Sequence, residues 1–181
     1  EWNWLSCNPL AMDLLRANPN HINWVFLSGC PHAIDMLLEN PDKIRWDELS
    51  GNPAAIDLLR ANPDRIDWKK LSRNHAAIDL LRANPDKIDW FWLSANPAAI
   101  SLIIPKPKFM GWFFLSGNPA AIDLLTANQD RIYWDELLTN PAAMPLITVN
   151  KRKIRWDILS LNPAIFELRS DPLLVAELLK I

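Results

Sequence analysis

Three histidines, two cysteines and a recurring aspartate are the residues of this 181-residue chain that could carry acid–base, nucleophilic or metal chemistry. A metal centre needs three or four ligands converging on one point, and a catalytic triad needs a nucleophile within hydrogen-bond reach of its base. His21, His32 and His75 fall at three different phases of the repeat described below, which scatters them. The sequence contains no C-x-x-C, H-E-x-x-H, glycine-rich phosphate loop or G-x-S-x-G. Asp13, Asp35, Asp57, Asp79 and Asp123 share one phase and could line up as a cation-binding row. Arg16, Arg60 and Arg82 follow three residues later, so the row reads as a solvated face of i,i+3 pairs. With only four glycines there is little spare loop for chemistry. The reading is a non-enzymatic chain with no cofactor, metal or small-molecule substrate.

Recognition is better served. Two variable positions follow each of eight regularly spaced tryptophans: Asn3-Trp4, Val25-Phe26, Asp47-Glu48, Lys69-Lys70, Phe91-Trp92, Phe113-Phe114, Asp135-Glu136 and Asp157-Ile158. Charged pairs in several copies show that at least one of the two positions is normally wet. Stacking would then bring Phe91, Trp92, Phe113 and Phe114 together as an exposed aromatic patch, with a smaller patch at Trp4, Val25 and Phe26. Such patches mark binding surfaces, for a protein partner or a second copy of the chain. The alternative is nucleic acid. Lys106, Lys108, Arg131, Lys151, Arg152, Lys153 and Arg155 would stack as a basic strip opposed by Asp130, and basic and aromatic groups together hold single strands. The near-neutral formal charge of -2 favours reading the strip as a solvated edge instead.

These residues are positioned by a 22-residue unit repeated about eight times without insertion or deletion. Trp2, Trp24, Trp46, Trp68, Trp90, Trp112, Trp134 and Trp156 hold the period. A leucine lies three residues behind each, followed by serine in every copy except Leu138. An Asn-Pro pair recurs from Asn8-Pro9 to Asn162-Pro163, varied as Cys30-Pro31 and Asn74-His75. A second Asn-Pro lies ten residues on, as in Asn62-Pro63.

Asparagine caps helices and proline suits their first turn, so each Asn-Pro reads as a helix start and each unit as two short helices. One runs from Pro53 to Ala61, the other from Pro63 to about Ser72. The second is ambiguous. Ile66 and Trp68 are two apart, so either both sides are buried or the stretch after Pro63 is a turn and the helix starts at Asp67. Helices this short are marginal alone and must be held by stacking, with the tryptophans as core spacers. The fold expected is therefore an all-α solenoid, of either hand, spanning residues 1–165, with residues 166–181 as a C-terminal capping helix. A leucine-rich-repeat-like coil with one short strand per turn is the other architecture that suits this period. Pro105, inside Ile104-Pro105-Lys106-Pro107-Lys108, is expected to end a helix early and cause a bend or bulge.

Cys7 and Cys30 sit at neighbouring phases of adjacent units. Helix axes pack ~8–10 Å apart and a disulfide needs Cα atoms within about 7 Å, so two free thiols and a reducing compartment are expected. No apolar run approaches the ~20 residues of a membrane span. The chain opens inside a repeat with no initiating Met or signal peptide, as expected of the ordered part of a longer chain.

The unit W-x-x-L-S-x-N-P-x-A-I-x-L-L-x-x-N-P, carried by stretches such as Trp46 to Pro63 and Trp68 to Pro85, resembles repeat families of giant DNA viruses of amoebae. The resemblance covers nearly the whole chain and implies a viral repeat protein acting on host or virion partners, in host cytoplasm or virion, or serving as a structural virion component. No catalytic residue set comes with it.

Overall fold

The computed structural model describes residues 2–167, which are all-helical in regular 22-residue repeats. No strand occurs among them, which removes the leucine-rich-repeat-like alternative. The capping helix expected over 166–181 lies almost wholly outside the described residues; a short helix, Ala164–Glu167, precedes it. The chain forms two compact units, Glu1–Asp89 and Trp90–Ile181. Within each, successive repeats stack as coils of an α-solenoid.

One coil shows the logic of all. Asn52 is extended and its Oδ1 accepts the Ala54 N–H, so the first Asn-Pro is a helix start, as expected. A 3₁₀ turn, Pro53–Ala55, leads into the helix Ile56–Ala61. The second Asn-Pro is different. Asn62 closes the helix it follows, its Nδ2 donating to the Leu58 carbonyl at 2.9 Å, and caps nothing after it. A 3₁₀ turn, Pro63–Arg65, is followed by extended Ile66, and the next helix is Trp68–Arg73 with Asp67 as its N-cap. The Asp67 Oδ1 accepts the Lys70 N–H at 2.9 Å. Of the two sequence readings, the turn with a later helix start is the observed one. Extended backbone at Ile66 turns that side chain inward, to 8% exposure, without forcing Trp68 to the opposite side of a helix.

The core is built of leucine and alanine. Leu27, Leu49, Leu71, Leu93, Leu115, Leu137 and Leu159 of the helices that begin with tryptophan are fully enclosed, as are Leu15, Leu37, Leu59, Leu81 and Leu125 of the helices that follow the first Asn-Pro position. Alanines 55, 77, 99, 121 and 143 keep the facing turns close. The ladder tryptophans are not enclosed core spacers. Seven are half-buried and Trp156 is 49% exposed. An indole is too large for the gap between coils only one short helix apart, so the rings lie along the edge.

Two columns of polar side chains run through this apolar interior. Ser50 Oγ donates to the Trp46 carbonyl at 2.7 Å and accepts the Asp67 N–H of the following coil at 2.9 Å. The same relay joins Ser6 to Asn23, Ser28 to Arg45, Ser72 to Asp89, Ser94 to Gly111 and Ser116 to Tyr133. Beside it, Asn52 Nδ2 donates backward to the carbonyls of Ser28 and Cys30, and Asn74 to those of Ser50 and Asn52. Asn162 does the same for Leu138 and Asn140. Each amide thus uses both its donors and its acceptor, which is what a fully buried polar group requires.

The cysteines correct the expectation of free thiols. Cys7 and Cys30 are disulfide-bonded, with Cα atoms 5.5 Å apart. Helix-axis spacing was the wrong measure, because Cys30 stands in the asparagine column, where neighbouring coils touch backbone to side chain. It replaces the amide rung with a covalent one to the preceding coil, and the ground for expecting a reducing compartment falls with it. Pro105 does shorten its helix, to Ile100–Ile103, but no bulge follows. Lys106 has φ -124 and ψ 57, close to -133 and 61 at Asn84, so the coil keeps its register.

Asn52→Ala should lower stability by about 2–4 kcal/mol, because two buried carbonyls lose their donor; chemical denaturation reads this directly. Cys7→Ala with Cys30→Ala should cost about 3 kcal/mol for the 23-residue separation. Cys7→Gly with Cys30→Asn, which restores the consensus rung, should recover much of it.

Candidate functional site

The positions after each ladder tryptophan open the helix that the tryptophan begins, so their side chains emerge on one edge while the enclosed leucine behind them anchors the turn. In the second unit the structure brings together the four aromatic residues singled out from sequence. Phe91 and Phe114 have ring centroids 4.7 Å apart, Trp92 and Phe114 5.0 Å, and Phe113 and Phe114 5.3 Å. Phe91 (52%) and Phe113 (41%) are the exposed members, and Trp92 and Phe114 are half-buried beneath them. In these two pairs the first residue faces outward and the second supports it. In the first unit Trp4, Val25 and Phe26 are exposed, at 76%, 43% and 48%.

Tyr133 extends the aromatic patch, 54% exposed and 5.6 Å from Phe113 at near a right angle. Sequence reading missed it because it lies just before a ladder tryptophan, outside the variable pair. Its signal was an aromatic ring in a column that elsewhere reads Asn23, Arg45, Asp67, Asp89, Gly111 and Arg155. Gly111, from the same column, is the second omission. A Cβ there would stand 3.1 Å from Ser94 Oγ and 3.2 Å from both Phe91 Cδ2 and the Phe91 carbonyl. The missing side chain lets the Phe91 ring lie against the backbone. An open cleft of about 540 Å³ results, lined by Phe91, Met110, Gly111, Phe113, Arg131 and Tyr133 among others.

The ladder tryptophans have their own partners, each nineteen residues on. Arg65 lies 5.1 Å over Trp46, Lys87 4.9 Å over Trp68, Arg131 5.3 Å over Trp112 and Lys153 5.9 Å over Trp134. His21 stacks on Trp2 and Phe109 on Trp90. Half-buried rings are thus covered by the next coil's cation, an attraction of about 0.5–1 kcal/mol each at such sites.

This changes the basic strip. Arg131 and Lys153 lie over tryptophan faces, and Arg155 bridges Asp157 and Asp135 at 3.0 and 2.9 Å, which raises its pKa further, chiefly through the Asp157 hydrogen bond. Lys106, Lys108 and Arg152 are exposed, with Arg152 beside Lys151 and Lys153 around a second cleft of about 430 Å³. All of the seven cations but the half-buried Lys151 are exposed, and at least Arg131, Lys153 and Arg155 are also held by contacts within the chain. In the first unit Lys70 Nζ reaches Glu48 at 2.8 Å and Asp47 at 3.4 Å. Its pKa is raised, chiefly by the hydrogen bond to Glu48. Desolvation opposes ionisation of Asp47, but the Glu48 N–H and Lys70 outweigh it and the carboxyl is held low.

Arg16, Arg60 and Arg82 pair with Asp13, Asp57 and Asp79 on the wet face, as the spacing predicts. Among the described residues no group of three or more His, Cys, Asp or Glu is placed to hold a metal ion, and no helix is long and apolar enough to cross a membrane. Comparison with protein-family models, with curated proteins and with solved structures gives no match. The likeness to the viral repeats rests on the motif alone.

Gly111→Ala should destabilise the protein by about 1 kcal/mol, since the Phe91 carbonyl is backbone and Ser94 Oγ is hydrogen-bonded, so only the Phe91 ring can withdraw from the new Cβ. Thermal denaturation checks the cost, and the ring-proton shifts of Phe91 check that the ring has moved.

Proposed function

We propose that this chain is a non-enzymatic interaction scaffold whose repeats present a variable edge to a protein partner or to a second copy of itself. The observation that carries the reading is the cluster of Phe91, Trp92, Phe113, Phe114 and Tyr133. The core columns of leucine, serine and asparagine repeat almost unchanged, yet this edge exchanges charged pairs for aromatic rings in consecutive coils. Packing does not require those rings, because coils bearing Asp47-Glu48 or Lys69-Lys70 have the same backbone. Exposed, rigid aromatic groups are the side chains that contribute most at protein interfaces.

Nucleic-acid binding is the weaker reading, since at least Arg131, Lys153 and Arg155 are engaged within the chain. The motif's resemblance supports placing the scaffold among the proteins of giant amoebal viruses, with partners in host or virion.

The test is association of the wild-type chain and of Phe91→Lys with Phe113→Lys, by light scattering after size exclusion at low and high salt, and by recovery of partners. Both substitutions sit on exposed rings, so helicity by circular dichroism should be unchanged. Salt-resistant association or partner recovery should fall at least about tenfold in the variant. Equal association in both proteins would remove the aromatic edge from the function.

A further inference from the structure

One junction in the first unit is built unlike the others. Elsewhere the rung between coils is a buried amide: Asn52, Asn74, Asn118, Asn140 and Asn162 each donate to a carbonyl of the preceding coil. Between the first two described coils the same column holds Cys30, joined to Cys7. These are the only cysteines in the chain. An amide rung is present whatever the redox conditions; this one exists only while the sulfurs are oxidised.

Reduced, Cys30 cannot stand in for asparagine. A thiol offers one weak donor where the amide offers two. Cys30 Sγ lies 3.0 Å from the Phe26 carbonyl oxygen of its own coil, so a new S–H has its acceptor there and gives nothing to the preceding coil. Polar links that remain include the Asn23 N–H to Ser6 Oγ at 3.0 Å and the exposed Asn23 to Asn3 side-chain bond at 2.8 Å.

The two sulfurs also differ in access. Cys7 is exposed, whereas Cys30 is 1% exposed. Thiol–disulfide exchange requires a thiolate to reach one of the two sulfurs, so an incoming thiol meets Cys7. The bond ties together two helices that carry an edge. Trp2–Leu5 holds Trp4, whose carbonyl accepts the Cys7 N–H at 3.3 Å, and Trp24–Ser28 holds Val25 and Phe26. Trp4, Val25 and Phe26 are all exposed.

We infer that Cys7 is a thiol-exchange site and that the Cys7–Cys30 bond is a redox-set lock on this junction. Closed, it holds Trp4, Val25 and Phe26 on one edge; opened, it frees the first coil to move off the second. The co-reactant is a small thiol of the glutathione class. Its thiolate bonds to Cys7 Sγ as the Cys7–Cys30 bond breaks, and the Cys30 sulfur leaves with the electron pair and takes up a proton. A second thiolate attacks the small-molecule sulfur of the mixed disulfide and releases the Cys7 thiolate. Two small thiols are thereby oxidised to one disulfide and the two protein cysteines are reduced. In reverse, a small disulfide loads Cys7 and the neighbouring Cys30 resolves it. The gating of docking at this edge rests on the scaffold reading; entry at Cys7 and loosening of the coil do not.

The experiment holds the full folded chain in glutathione buffers of graded ratio, quenches with acid and digests with trypsin, which cuts after Arg16 and separates the two cysteines. Mass spectrometry should find the mixed disulfide on Cys7 in at least about tenfold excess over Cys30. Hydrogen exchange over residues 2–17 should quicken about tenfold or more when the bond opens, with residues 112–159 unchanged. Cys7→Gly with Cys30→Asn, which carries an amide rung, should exchange alike in every buffer. A bond that glutathione cannot open in the folded chain, glutathione found chiefly on Cys30, or equal hydrogen exchange in the open and closed forms overturns the lock. Partner recovery that is equal in oxidising and reducing buffer, with the lock passing these tests, overturns the gating alone.

Discussion

Every coil of this protein has to turn corners inside a dry interior, and at each corner backbone N–H and C=O groups leave the helical pattern. A strand-based solenoid satisfies such groups by pairing coil to coil. This chain has no strand among its described residues and uses two side chains instead. The serine hydroxyl passes a hydrogen bond from its own helix to the next coil, and the asparagine amide spends both donors on the coil before. The unpaired alternative costs about 1–3 kcal/mol per buried group. That requirement fixes the 22-residue length, because one inserted residue would carry both columns out of register. It also explains why proline follows the asparagine so often: its position needs no N–H.

Much of this was legible from spacing. The period, the helical character, the start at the first Asn-Pro and the assembly of the aromatic pairs all follow from residue type and repeat phase. The misread parts have a common cause, which is that phase tells which residues are neighbours but not how far apart neighbours lie. Asn62 has the same two-letter signature as Asn52 yet closes a helix, because its φ of -133 turns its amide back on the preceding carbonyl. The tryptophans repeat as strictly as the leucines, so periodicity alone could not show that they line the edge. Cys7 and Cys30 were judged by the distance between helix axes, whereas their separation is set by the asparagine column, where coils approach most closely.

The division between scaffold and surface follows from the same economy. Leucine, serine and asparagine are confined by the interior, and the edge after each tryptophan is confined by nothing but solubility. Aromatic, acidic and basic pairs are therefore interchangeable there without disturbing a coil. Arg131 and Lys153 show the converse: residues that look like surface charges are tied to the frame through the rings they cover.

The covalent rung between the first two described coils has a mechanical side. A solenoid pulled from its ends peels coil by coil, since each coil is held mainly by its neighbours. Each coil that yields releases about 75 Å of extended chain. The residues between Cys7 and Cys30 cannot be drawn out in this way while the disulfide is closed. Under tension those residues keep a fixed length while coils without such a rung can be drawn out.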